Sequence, residues 1–256
     1  MQLHVHMSPA ELLAVITAQT TDEAKPVEND VFIVIDLIRA TTAITTIFDC
    51  GATRVLIANS VEQARAARQH YPQRLLAGER NALPLPGFDY GNSPAQFMQA
   101  ELHARELILT TTNGTRAFFA CPTESLRLAG CFYNAAAVTA YAVQQARQQG
   151  GNIGIVCAAE AGYFALDDSV CAGYLAQEIQ RLQPDIECHE SVTAVQGLYQ
   201  LYPPSILPNY CHSARQVSAA GLSADIELCM QQNRSSSIGY VTGLETETGL
   251  LILDRV

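Results

Sequence analysis

Four short stretches of this sequence gather residues able to handle an anion. In Asp36-Leu37-Ile38-Arg39-Ala40-Thr41-Thr42 an acid and an arginine stand three positions apart, with two hydroxyls behind them. Gly78-Glu79-Arg80-Asn81 combines an acid, an arginine and an amide, and Thr111-Thr112-Asn113-Gly114-Thr115-Arg116 adds hydroxyls and another arginine. The last stretch holds Glu160-Ala161-Gly162 and then Asp167-Asp168. Hydroxyls and free backbone N–H groups at a helix start form an anion site, with Thr111 to Thr115 the best candidate. Asn113-Gly114 fits a tight positive-φ turn that would aim those groups inward. Arginine grips phosphate, carboxylate or sulfonate through a planar fork, a role open to Arg39, Arg80 and Arg116. Asp36, Glu79, Asp167 and Asp168 are candidate hard oxygen ligands for Mg²⁺, which takes one or two carboxylates together with waters and substrate phosphate. Each group also has a plain structural role to weigh: Thr115 as a helix cap, Asp168 as a first-turn acid, Asp36 as the ion-pair partner of Arg39. Asp36 leans towards function, because a buried acid at the end of an apolar strand is costly unless paired or metal-bound.

All four stretches begin where a strand is expected to end. Residues 30–37 (DVFIVIDL) form the continuous apolar run of a buried strand, and further strands are expected over 74–77, 106–111 and 152–158. In open parallel sheets, ligands bind beyond the carboxyl ends of the strands. Shorter strand patterns lie at 1–6, 54–58 and 126–129. Helical patterns cover 41–50, 60–71, 134–149 and 166–182, and others start near Ser8, Ser93 and Thr115. The alternation predicts an α/β, three-layer fold with a mainly parallel or mixed central sheet. A polar loop is expected over 20–30. The rhythm fails after Pro184. Residues 189–233 read as helices, and 236–253 read as a hairpin turning near Glu247 to Gly249. The expected organisation is an α/β core over 1–183, with a helical segment and β-hairpin over 184–256 packed on or completing it. The apolar C-terminal ribbon is a candidate homodimer interface.

Composition removes several functional classes. The chain has 256 residues and a formal charge of −10, which disfavours binding to nucleic acid or to anionic membrane. Lys25 is the only lysine, so nearly all positive charge is arginine, a skew that overall compositional bias explains equally well. Neither a signal peptide nor a membrane span is expected, and the eight cysteines lack any C-x-x-C spacing. Reduced cysteines in a cytoplasmic protein follow. Cys188-His189 and Cys211-His212 are adjacent pairs whose side chains point apart, so neither makes a zinc site alone. The Gly-rich phosphate loop with its lysine is absent. Position 38 is Ile, where a haloacid-dehalogenase pattern needs a second acid. Cys121 to Arg127 has C-x5-R spacing, but roughly 0.4 such matches arise by chance in a chain of this make-up.

The same stretches resemble the 2-phosphosulfolactate phosphatase family. The similarity runs through Asp36 to Thr42, then Gly78 to Asn81. It continues in Pro84-x-Pro86-Gly87-Phe88-Asp89-x-Gly91-Asn92-Ser93-Pro94 and in Thr110 to Arg116. It is carried further by Ala165-Leu166-Asp167-Asp168 with Ala172-Gly173, where the family more often has Glu at position 167, and by Gly221 to Cys229. The resemblance implies a Mg²⁺-dependent phosphatase that converts 2-phospho-3-sulfolactate to 3-sulfolactate and phosphate. It would make Asp36, Arg39, Glu79 and Asp168 catalytic, with metal held by Asp36, Glu79, Asp168 and the neighbouring Asp167. Substrate would meet Thr41, Thr42, Arg80, Asn81 and the segment Thr111, Thr112, Asn113, Gly114, Thr115 and Arg116. Two other readings fit the residues: a sensor of a phosphorylated metabolite without turnover, and a Mg²⁺-assisted lyase on a similar acid.

Overall fold

A computed structural model describes residues 1–19 and 30–256, so the loop expected over 20–30 lies, but for Asp30, outside the described residues. The first half alternates as expected: β1 (Gln2–His6), α1 (Pro9–Gln19), β2 (Val31–Ile35), α2 (Ala40–Asp49), β3 (Arg54–Ile57) and α3 (Val61–His70). Next come β4 (Leu75–Arg80), β5 (Leu83–Pro84), α4 (Pro94–Phe97), β6 (Glu106–Thr110), α5 (Gly114–Ala120) and β7 (Leu126–Ala129). Then α6 (Ala135–Gln149), β8 (Ile153–Cys157) and α7 (Leu166–Leu182) complete the regular part. The remainder is β9 (Glu187–Cys188), α8 (Glu190–Leu201), α9 (His212–Ala219), α10 (Ser223–Cys229), β10 (Gly239–Leu244) and β11 (Leu251–Arg255). Helix starts obey local chemistry. Ser60 accepts from the Gln63 amide and Ser93 from the Gln96 amide, each at 3.1 Å, and Ser8 accepts from the Glu11 amide.

The strands form one mixed sheet in the order β5-β4-β6-β3-β11-β10-β7-β2-β8-β1-β9. β4, β6 and β3 are parallel to one another, as are β7, β2, β8 and β1. The C-terminal hairpin joins the two groups, β11 pairing antiparallel with β3 and β10 with β7. Its backbone edges are therefore both paired within the sheet, with Val241, Leu251 and Leu253 buried and Leu244 left exposed.

Strand β2 is buried throughout, and its pleat divides it between two cores. Phe32 and Val34 face a cluster built on α2 and α5, whereas Val31, Ile33 and Ile35 face the cluster of α6, α7 and α8. A third cluster lies under α3.

Helix α2 explains how the site is assembled. Nine of its ten residues are buried, although four are threonines. Each hydroxyl bonds a backbone carbonyl nearby: Thr41 to Asp36, Thr42 to Leu37, Thr45 to Thr41 and Thr46 to Ala43. A polar side chain satisfied in this way can enter a core. The helix touches β2, β3, β7 and β10, so it bridges the two parallel groups. Five strands separate β4 from β2, roughly 25–30 Å across a flat sheet. The carboxyl ends of the two parallel groups nevertheless meet, with Glu79 and Thr112 from one and Asp36 and Asp168 from the other lining a single cavity.

Candidate active site

A cavity of about 330 Å³ opens where those strand ends meet. Five carboxylates line it: Asp36, Glu79, Glu160, Asp167 and Asp168. Asp36 follows β2. Its Oδ1 accepts from the Ala40 amide at 3.1 Å, while Thr41 bridges its backbone. Glu79, in β4, accepts from the Ala82 amide at 3.1 Å and from the amide and hydroxyl of Thr112 at 3.0 and 2.9 Å. Asp168 opens α7 and ties two strand ends together, taking the Leu37 amide on one oxygen (2.9 Å) and the Ala159 amide on the other (3.1 Å). Asp167 accepts from the Ser213 hydroxyl at 2.7 Å.

These acids oppose one another. Burial pushes Asp36 up to about 6, and the charges of Asp167 and Glu79 add to the rise. Burial does the same to Asp167, also to about 6, against the Ser213 hydrogen bond. Asp168 is driven well above the usual carboxylate range by burial and then by Asp167 and Asp36. Groups shifted by desolvation and like charge in a cleft are the physical mark of a functional site.

The backbone carries the same mark. Among the described residues, six non-glycine positions have left-handed φ, and Asn81, Ala82, Ala159 and Ala161 of these line the cavity. Such conformations persist only where surrounding structure enforces them.

The arginines are placed differently from expectation. Arg39 does line the cavity, but its guanidinium bonds Asp225 at 2.7 Å and the Ala82 carbonyl at 2.9 Å, and it does not pair with Asp36. Arg80 lies outside the lining and donates to the carbonyl of Glu79. Arg116 is exposed, also outside the lining. Thr41, Thr42 and Thr115 are buried behind the site with hydroxyls committed to backbone carbonyls, so they shape it without facing it. Asn81, Thr111, Thr112 and Asn113 do line the cavity. The Asn113-Gly114 turn is not left-handed. Asn113 has φ −122°, and a Cβ on Gly114 would lie 2.6 Å from Oδ2 of Asp36. Glycine is required there for close approach, not for a special φ.

The C-x5-R pair is not a phosphatase centre. Cys121 is buried away from the cavity with its thiol pushed up to about 12 by burial, and Arg127 donates to the carbonyls of Phe118 and Thr123. All eight cysteines are free, and no helix among the described residues is long and apolar enough to cross a membrane.

Sequence reasoning missed Asn92, His212, Ser213 and Gln216, all of which line the cavity. The last three belong to α9, in the region where the strand–helix rhythm gives no guide. Nδ1 of His212 lies 2.6 Å from Oε1 of Glu160.

The donor set suits a hard cation in kind, since the carboxylates raise one another's proton affinity and no arginine relieves them. Among the described residues, however, no three Asp, Glu, His or Cys side chains converge into a ready-made cage.

Comparison with known proteins identifies the family. A profile described as 2-phosphosulpholactate phosphatase matches residues 15–243. A protein of Deinococcus radiodurans is 36% identical over 227 residues, 87% of this chain and 92% of its own. One from Clostridium acetobutylicum is 31% identical across 86% of this chain and 92% of its own. One from Thermus thermophilus is 31% identical across 95% of each. All three carry the name "Probable 2-phosphosulfolactate phosphatase". With the profile covering most of its length and its acids gathered at the strand ends, the chain belongs to the 2-phosphosulfolactate phosphatase family, a family of phosphoric monoester hydrolases.

Proposed function

We propose that this chain is a Mg²⁺-dependent phosphatase that hydrolyses the ester of 2-phospho-3-sulfolactate, releasing 3-sulfolactate and phosphate. One observation carries the metal. Five carboxylates line the cavity, and its only arginine is already paired with Asp225. A substrate bearing phosphate, carboxylate and sulfonate would meet a strong excess of like charge there unless a cation entered with it.

Asp36 and Asp167 are the foremost residues to hold that cation, with Glu79 and Asp168 behind them. When bound, Mg²⁺ would polarise a phosphoryl oxygen and offset the charge of the leaving alkoxide. Phosphoryl transfer otherwise depends chiefly on positioning. The side-chain amides of Asn81, Asn92, Asn113 and Gln216 line the cavity and have N–H groups without protein partners among the described residues, so they can orient the substrate's oxygens. Asp168 fixes the ends of β2 and β8 relative to one another, which sets the separation of the acids.

The test is phosphate release from 2-phospho-3-sulfolactate by metal-stripped protein, before and after Mg²⁺ is restored. Activity that returns with Mg²⁺ and is lost in Asp36→Asn supports the proposal. Equal activity in EDTA would remove the metal, and no release from well-folded protein would remove the phosphatase itself.

A further inference from the structure

One pair of side chains in the cavity has no part in the hydrolysis described so far. His212, at the start of α9, meets Glu160, from the loop after β8, at 2.6 Å. The loop is built to hold Glu160 in place. Ala159 and Ala161 flank it in left-handed backbone, at φ 64° and 49°. Alanine keeps that conformation only where its surroundings enforce it. Here they do. Glu160 and Tyr163 exchange both backbone hydrogen bonds, Ala159 donates to Asp168, and Ala161 donates to the side chain of Asn113. The imidazole uses Nδ1 on Glu160, and Nε2 has no partner among the described residues.

A carboxylate that fixes one ring nitrogen leaves the other aimed and free to move a proton. The chemistry needs such a group. Cleaving an alkyl phosphate ester expels a strongly basic alkoxide. The buried acids have no proton donor of their own to spare if they hold the cation, and Arg39 is committed to Asp225. We propose, resting on the phosphatase reading above, that His212 is the catalytic acid that protonates the leaving oxygen and that Glu160 is its positioning residue. In the step, a water oxygen bonds to phosphorus as the bond from phosphorus to the ester oxygen breaks. The electron pair of that bond stays on the ester oxygen, which takes the proton from Nε2 of the protonated ring. The proton given up by the attacking water finally restores the imidazolium.

The experiment compares 2-phosphosulfolactate with its 3,3-difluoro analogue, which keeps all three anionic groups but has a more acidic leaving alcohol. His212→Gln should lower kcat/KM for the parent by about 100-fold or more, yet for the fluorinated substrate by less than about tenfold. Glu160→Gln should show a smaller loss with the same bias. Because the ring is half-exposed, thermal unfolding of His212→Gln should match wild type. Should it not, the ratio between substrates is read on Glu160→Gln instead. Equal losses on both substrates, or none, would overturn the assignment, since a merely structural residue has no reason to sense leaving-group acidity. Wild-type protein inactive on both substrates would remove the phosphatase reading, and this role with it.

Discussion

Arg39 and Asp225 form a buried ion pair at 2.7 Å, with their side chains 3% and 1% exposed. The partners come from opposite ends of the chain. Asp225 is further engaged by the Ser93 hydroxyl at 2.6 Å and the Ala95 amide at 3.1 Å. Removing one partner strands the other's charge in the interior. Asp225→Ala should therefore cost about 3–5 kcal/mol in urea unfolding, whereas Arg39→Met with Asp225→Leu should recover much of the loss. If the single variant unfolds like wild type, the pair does not bear on stability.

Gly114 presses against Asp36. An added methyl would lie 2.6 Å from Oδ2 and 2.7 Å from Cβ of Ala40. Gly114→Ala meets no backbone barrier, because this glycine is not left-handed. Its effect should come from crowding alone, about 1–3 kcal/mol of stability together with a displaced Asp36 carboxylate. Phosphatase activity should fall more than thermal stability does. Unchanged kcat in this variant would mean that the position of Asp36 is not critical.

Acid should weaken the protein through His6. Burial, then the neighbouring His4 and His189, lower its pKa to about 4. The unfolded chain binds a proton near 6.5, so it takes up more protons than the native state between those values. This contribution is complete above pH 6.5 and is lost as pH falls towards 4, amounting to roughly 3 kcal/mol. Asp36 and Asp167 act in the opposite sense over much of the same range, so the difference between wild type and His6→Leu isolates the effect. Chemical denaturation from pH 4 to 7 should show a shallower acid limb in the variant.

Cys121→Ala should retain phosphatase activity within about threefold and lose about 1 kcal/mol or a little more from its small cavity. Loss of turnover in folded Cys121→Ala would revive the cysteine that the structure sets aside.

How much of this was legible in the sequence depended on which interaction decided each feature. Strand β2 was readable because all its residues are buried, which leaves an unbroken apolar run. The acids at strand ends were readable because parallel sheets place ligands there. The fate of the arginines was not. Arg39 is three residues from Asp36 in the chain, but the fold gives it Asp225, and no local rule sees a partner so remote. His212 was hidden for the same reason, since the adjacent Cys211 makes no site with it and its actual partner, Glu160, lies in another loop. The hairpin was recognised from its own pattern. Its seat between β3 and β7 is decided by edges that only exist once the sheet has formed.

That seat has a consequence for the order of assembly. Among the described strands, no pairing links the β3 group directly to the β7 group, and the hairpin supplies the sheet's connection between them. Val55 and Leu253, which pair across it, are separated by roughly 200 residues, a span that makes closure slow relative to local structure. Glu79 and Thr112 belong to one side, Asp36 and Asp168 to the other. The two walls of the cavity therefore share a sheet only through the hairpin, so its docking fixes the register in which Glu79 faces Asp36.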